Sequence, residues 1–152
     1  MFKILKAIFF KKANNDSNIV VAEKNEDFIS ASKEELQRMF DIVCQRASEL
    51  EFPIDSYRSE NGPCLIGVLI SDENYKPEIE ALSVRCSSIQ ELVKASGFDI
   101  HDYDSDFLNR IQYANDQIAP DGEPSGFKHR LYTALEKISH DFDLKIPDTY
   151  RY

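Results

Sequence analysis

The chain has 152 residues, 42% of them hydrophobic and 30% charged, with a net charge of −9 and no tryptophan. One domain over 1–152 is expected, since a chain of this length can bury roughly two thirds of its surface around a single core. The acidic balance repels nucleic-acid phosphate and argues against duplex binding, and five glycines with six prolines are too few for a long disordered tail.

The charge is unevenly spread. Lys3, Lys6, Lys11 and Lys12 all precede the first acid, Asp16, so residues 13–152 carry 14 basic against 27 acidic side chains. Three cysteines, Cys44, Cys64 and Cys86, lie far apart with no Cys-x-x-Cys pair. That usage fits reduced thiols in a cytoplasm of bacterial type and excludes a zinc knuckle. The apolar stretch after Met1 is too short and too lysine-broken for a signal peptide, and no apolar run is long enough to span a bilayer.

In chain order, residues 1–12 (MFKILKAIFFKK) place Phe2, Leu5 and Phe9 on one face and lysines on much of the remainder. This predicts a short amphipathic basic helix, either docked on protein or resting on an anionic membrane surface; docking is favoured. A polar loop leads to a short N-terminal strand, Ile19–Ala22, and a turn precedes a brief returning strand at Phe28–Ser30. Ser32 and Glu35 form a capping box ahead of the stripe Leu36, Met39, Phe40, Val43, Cys44, Ala47 and Leu50, a helix of about five turns. Phe52-Pro53 stops it.

Ile54–Ser59 reads as a strand, and Glu60-Asn61-Gly62 as a turn into the longest uninterrupted apolar run, Gly62–Ser71. That run is short, β-branched and bounded by turn residues, so it predicts a strand covered on both faces. Leu82, Val84 and Cys86 alternate within Glu80–Cys86, a third strand. The three make an antiparallel meander whose register sets Cys64 opposite Cys86. Three C-terminal helices follow: one from the capping box Ser88–Glu91 to Gly97, one from about Ser105 to Ile118, and one carrying Phe127, Leu131, Ala134, Leu135, Ile138 and Phe142. A loop at Ala119–Gly126 separates the last two, and residues 145–152 form a tail. The fold expected is α+β: a small antiparallel sheet, made of the meander and the short N-terminal strand, packed with a long capped helix and C-terminal helices.

Chemistry-bearing patterns are sparse. Asp102, Asp104 and Asp106 imitate the opening of a calcium loop, but its sixth position is Phe107 and its twelfth is Tyr113, where glycine and a bidentate glutamate are required. His140-Asp141 has too little chain after it for a metal phosphohydrolase, and His129 would stand about 16 Å away along one helix. No Gly-x-Ser-x-Gly elbow, phosphate loop or dinucleotide fingerprint occurs. No cofactor or metal is expected.

What remains is the densest polar cluster, Asp99-Ile100-His101-Asp102-Tyr103-Asp104-Ser105-Asp106. A tyrosine among carboxylates suits a basic protein, because the aromatic anchors while the acids steer. Asp99, Asp102, Tyr103, Asp104 and Asp106 are therefore the candidate partner-binding residues. The expectation is a non-catalytic acidic protein that occludes a basic partner, analogous in size, charge and lack of catalytic motifs to immunity proteins and antitoxins acting on toxic nucleases. Two alternatives are a peripheral membrane adaptor held by residues 1–12 and a small hydrolase using His101 with Asp102 or Asp104.

Overall fold

Ser32 starts the first helix, α1 (Lys33–Glu49), by accepting the Glu35 N–H on its hydroxyl at 3.1 Å. The capping box is only half formed, because the Glu35 carboxylate turns instead to Arg38 and to the Asp99 N–H. Leu36, Met39, Phe40, Val43, Cys44 and Ala47 form the buried stripe as the spacing predicts. The computed structural model describes residues 30–116 and 126–150. The expected basic helix of 1–12, the expected strand at 19–22 and residues 28–29 of the expected returning strand lie outside the described residues, as do 117–118 of the expected helix, 119–125 of the expected loop and 151–152 of the expected tail.

The sheet is much smaller than the expected meander. Among the described residues it consists of β1 (Arg58–Ser59) and β2 (Gly62–Pro63), paired antiparallel with Ser59 opposite Gly62. The turn falls on Glu60-Asn61, with Gly62 taking the positive φ of +92° that closes it. Arg46 of α1 clamps this hairpin, its Nε donating to the Pro63 carbonyl and its Nη2 to that of Asn61.

Beyond Pro63 the apolar run is not a strand. It turns at Leu65-Ile66 into a 3₁₀ segment, Gly67–Leu69, and its backbone bonds are local: Val68 N to Cys64 O, Leu69 N to Ile66 O, Ile70 N to Gly67 O. Leu65, Ile66, Leu69 and Ile70 are buried at helical, not alternating, spacing. Gly67 is required here, since a Cβ at that position would stand 1.9 Å from the Tyr57 carbonyl oxygen. The proposed third strand is likewise replaced. Pro77–Ala81 is 3₁₀, entered through Pro77, and Cys86 is the N-cap of α2 (Ser87–Ala95). The ladder that would set Cys64 opposite Cys86 therefore does not form. Ser88 sits inside α2 and does not cap it.

What substitutes for the missing strands is side-chain hydrogen bonding. The Glu80 carboxylate accepts from the Tyr57 and Arg58 N–H groups at 2.7 and 3.0 Å, where a neighbouring strand would have supplied carbonyls. Fully buried Asn115 donates to the Ile54 carbonyl at 2.7 Å and accepts the Leu65 N–H at 3.3 Å. These four backbone groups are thus satisfied without a further strand.

Gly97, at φ +95°, ends α2 as expected. The last two helices are α3 (Ser105–Asn115) and α4 (Phe127–Asp141), which pack together and carry Phe107, Leu108, Ile111, Leu131, Leu135 and Ile138 into the core. All the buried apolar side chains among the described residues join one cluster. The expected tail is docked over 144–150. Leu144 and Tyr150 are buried, and the Lys145 N–H and C=O both bond to the Gln37 side-chain amide. Among the described residues the fold is therefore four α-helices with a two-stranded antiparallel sheet, an α+β arrangement.

Candidate partner-binding surface

The acidic cluster is built from its flanks. After Gly97 the chain is extended, and alternation buries Phe98 and Ile100 while Asp99 and His101 face outward. α1 holds this segment from below. Arg38 stacks over the Phe98 ring at 4.3 Å and donates to the Gly97 carbonyl at 2.7 Å. Glu35 forms a bidentate pair with Arg38 and accepts the Asp99 N–H at 2.9 Å. The Arg38 guanidinium beside it holds the Glu35 carboxyl below its ordinary pKa.

A 3₁₀ turn, Asp102–Asp104, then leads directly into α3. Its carboxylates part ways. Asp104 is only 4% exposed and points inward, accepting from the Ser30 hydroxyl at 2.7 Å, the Ala31 N–H at 2.9 Å and the His101 N–H at 2.8 Å. This carboxylate fastens residues 30–31 to the start of α3, and its burial removes it from any contact surface. The other candidates are exposed. Asp99 stands 3.4 Å from His101 Nε2, and Asp106 pairs with Arg110 at 2.9 Å while Arg110 also holds Asp141 at 2.7 Å. Asp102 has no ion-pair partner among the described residues, and Tyr103 is 59% exposed.

The calcium-loop imitation has no common centre: Asp104 turns inward, Asp106 turns to Arg110 and Asp102 faces solvent. Among the described residues no group of three or more His, Cys, Asp or Glu side chains could hold a metal ion. His101 with Asp104 does not form an acid–base pair open to substrate, since both Asp104 oxygens are occupied by backbone and hydroxyl donors.

The other tyrosines are mostly structural. Tyr57 is buried and donates its hydroxyl to the Leu82 carbonyl, burial raising its pKa well above the usual phenol value. Tyr75 donates to Glu80, and Tyr132 and Tyr150 stack with ring centroids 5.7 Å apart. Tyr103 and Tyr113 are the exposed tyrosines among the described residues.

Asp102 and Asp106 also wall a groove of about 500 Å³ between the starts of α2 and α3, with Arg85, Ser87, Gln90, Ser105 and Asn109. Sequence reading missed Arg85 and Gln90 as groove residues, since it placed the first in a strand and the second within a capping box. It did see Glu35, but as a cap and not as the support of Asp99. Among the described residues no helix is long and apolar enough to cross a membrane. Comparison of the chain with protein-family models, with curated proteins and with solved structures finds no match.

Proposed function

We propose that the protein is a non-catalytic acidic binding protein that occludes a basic protein partner, in the manner of an immunity protein or antitoxin set against a nuclease-type toxin. The observation that carries this reading is Tyr103, more than half exposed amid the carboxylates of Asp99, Asp102 and Asp106. An exposed aromatic ringed by acids is the composition of an anchor with steering charges.

Arg110 pairs with Asp106 and His101 stands beside Asp99, while Asp102 has no ion-pair partner among the described residues. Lys33, Arg38, Arg46, Arg58, Lys94 and Lys128 are each paired with a carboxylate other than these three. Three free cysteines support a reducing compartment, and we place the protein in the cytoplasm on that ground.

Affinity capture from native lysate tests the reading, using wild type beside a variant carrying Asp99→Asn, Asp102→Asn, Tyr103→Ala and Asp106→Asn. A basic protein retained by the wild type and lost by the variant is the expected result. Equal retention by both places the interface elsewhere, and capture of acidic or no proteins removes the proposal.

A further inference from the structure

Gln90 is the unusual member of the groove between α2 and α3. It is 8% exposed, on the same helix as buried Ile89 and Val93, yet its side chain makes no hydrogen bond among the described residues. Gln90 is one of the side chains that line the groove. A buried amide is ordinarily partnered, and one held against a polar groove with no protein partner is a hydrogen-bonding group left for a ligand.

The charge of the walls decides which ligand. Arg85 is the groove's one cation, and its Nε is engaged by Asn109 Oδ1 at 3.0 Å. Against it stand two carboxylates. Asp102 has no ion-pair partner among the described residues, and Asp106 uses Oδ2 for Arg110. The Gln90 carbonyl oxygen and the hydroxyls of Ser87 and Ser105 add neutral acceptors. The helix N-termini that flank the groove favour an anion. Two carboxylates stand against Arg85 among its lining side chains, however, and Asp102 has no ion-pair partner among the described residues, so the acceptor-rich walls suit a planar cation with several donors, which is a guanidinium.

We infer that this groove receives an arginine side chain of the basic partner, Asp102 and Asp106 taking its charge and the Gln90 amide oxygen accepting from it. The inference rests on the binding-protein reading and names the chemistry of its central contact. An anion at the start of α2, beside Arg85 and Ser87, is the competing occupant, and both carboxylates oppose it.

The test needs no partner. Full-length ¹⁵N-labelled protein is titrated with N-acetyl-arginine methylamide and, separately, with inorganic phosphate, following the Gln90 side-chain amide by NMR. The arginine probe is expected to shift that resonance saturably, and Asp102→Asn to weaken its binding by about tenfold, as loss of a charge-assisted hydrogen bond requires. Gln90→Leu, which lacks that reporter and is followed through the Asn109 side-chain amide at the same groove, should weaken it as well, with the Ala31 backbone signal unmoved in both variants to certify the fold. No saturable shift with the arginine probe, or tighter binding of phosphate, overturns the assignment. A failed titration removes the arginine receptor while leaving the capture experiment to judge the binding-protein reading. A successful titration with no basic protein captured keeps the receptor and removes the proposed partner.

Discussion

Glu35 shows how one side chain can serve a helix and a surface together. Its carboxylate leaves half of the capping box unmade so that it can hold Arg38 and the Asp99 N–H. Because its folded pKa is depressed, its contribution is complete above the unfolded value of about 4.3 and is lost as pH falls through the lower folded value. Glu35→Gln should therefore destabilise the protein by about 1 kcal/mol at neutral pH. The gap between the two melting temperatures should close as the pH is lowered below 4, read by thermal melts across an acidic series. A gap that persists undiminished would mean that Gln fails for steric reasons and not for charge. The cysteines separate in the same way. Cys44 is buried and its thiol is pushed up to about 12, Cys64 is buried and raised too, and Cys86 is half-buried at the start of α2. A thiolate-selective reagent should titrate Cys86 in the native protein, with Cys44 and Cys64 following only on unfolding.

At the scale of elements, Asp104 is the clasp between residues 30–31 and the start of α3, and its loss strands the buried Ala31 N–H. Asp104→Ala should cost about 2 kcal/mol or more, which lowers Tm by about 4–8 °C for a chain of this size. Asp102→Ala, two residues earlier in the same 3₁₀ turn but exposed, should leave Tm nearly unchanged. The helices were legible in the sequence because stripes such as Leu36–Met39–Phe40–Val43 and Leu131–Leu135–Ile138 repeat long enough to fix their period. The run at 62–71 was not, because a few apolar residues fit a covered strand and a buried 3₁₀ turn equally well. Leu65, Ile66, Leu69 and Ile70 did carry the helical spacing, and Gly67 marked the close approach to Tyr57, but β-branching outweighed them in the reading. Asn115 and Glu80 were invisible for a different reason. Their work is to satisfy backbone groups from far along the chain, and nothing local in the sequence announces it. Of the site, the acidic cluster was legible as composition, whereas the division between exposed Asp102 and buried Asp104 depends on which carboxylate residues 30–31 meet.

At the scale of the molecule, the distribution of charge sets what association should look like. Many cations are spent in ion pairs within the fold, while Asp99, Asp102 and Asp106 are exposed and Asp102 has no ion-pair partner among the described residues. Long-range attraction acts before contact, so neutralising exposed acids should act on the on-rate. For the captured basic partner, Asp102→Asn with Asp106→Asn should slow association by about threefold to tenfold at low salt and leave dissociation little changed. Arg110 retains Asp141 in that variant, and an exposed pair such as Asp106–Arg110 contributes little to stability, so the fold should survive intact. Raising salt to 0.15 M and beyond, where the screening length is about 8 Å or less, should erase most of the difference between variant and wild type. Tyr103→Ala should do the opposite: association nearly unchanged, dissociation faster by about thirtyfold if the ring is the central anchor, corresponding to about 2 kcal/mol. Stopped-flow mixing at low and high salt separates the two effects. A Tyr103→Ala variant that dissociates like wild type, with the double asparagine variant associating like wild type, would move the interface off this edge of the fold.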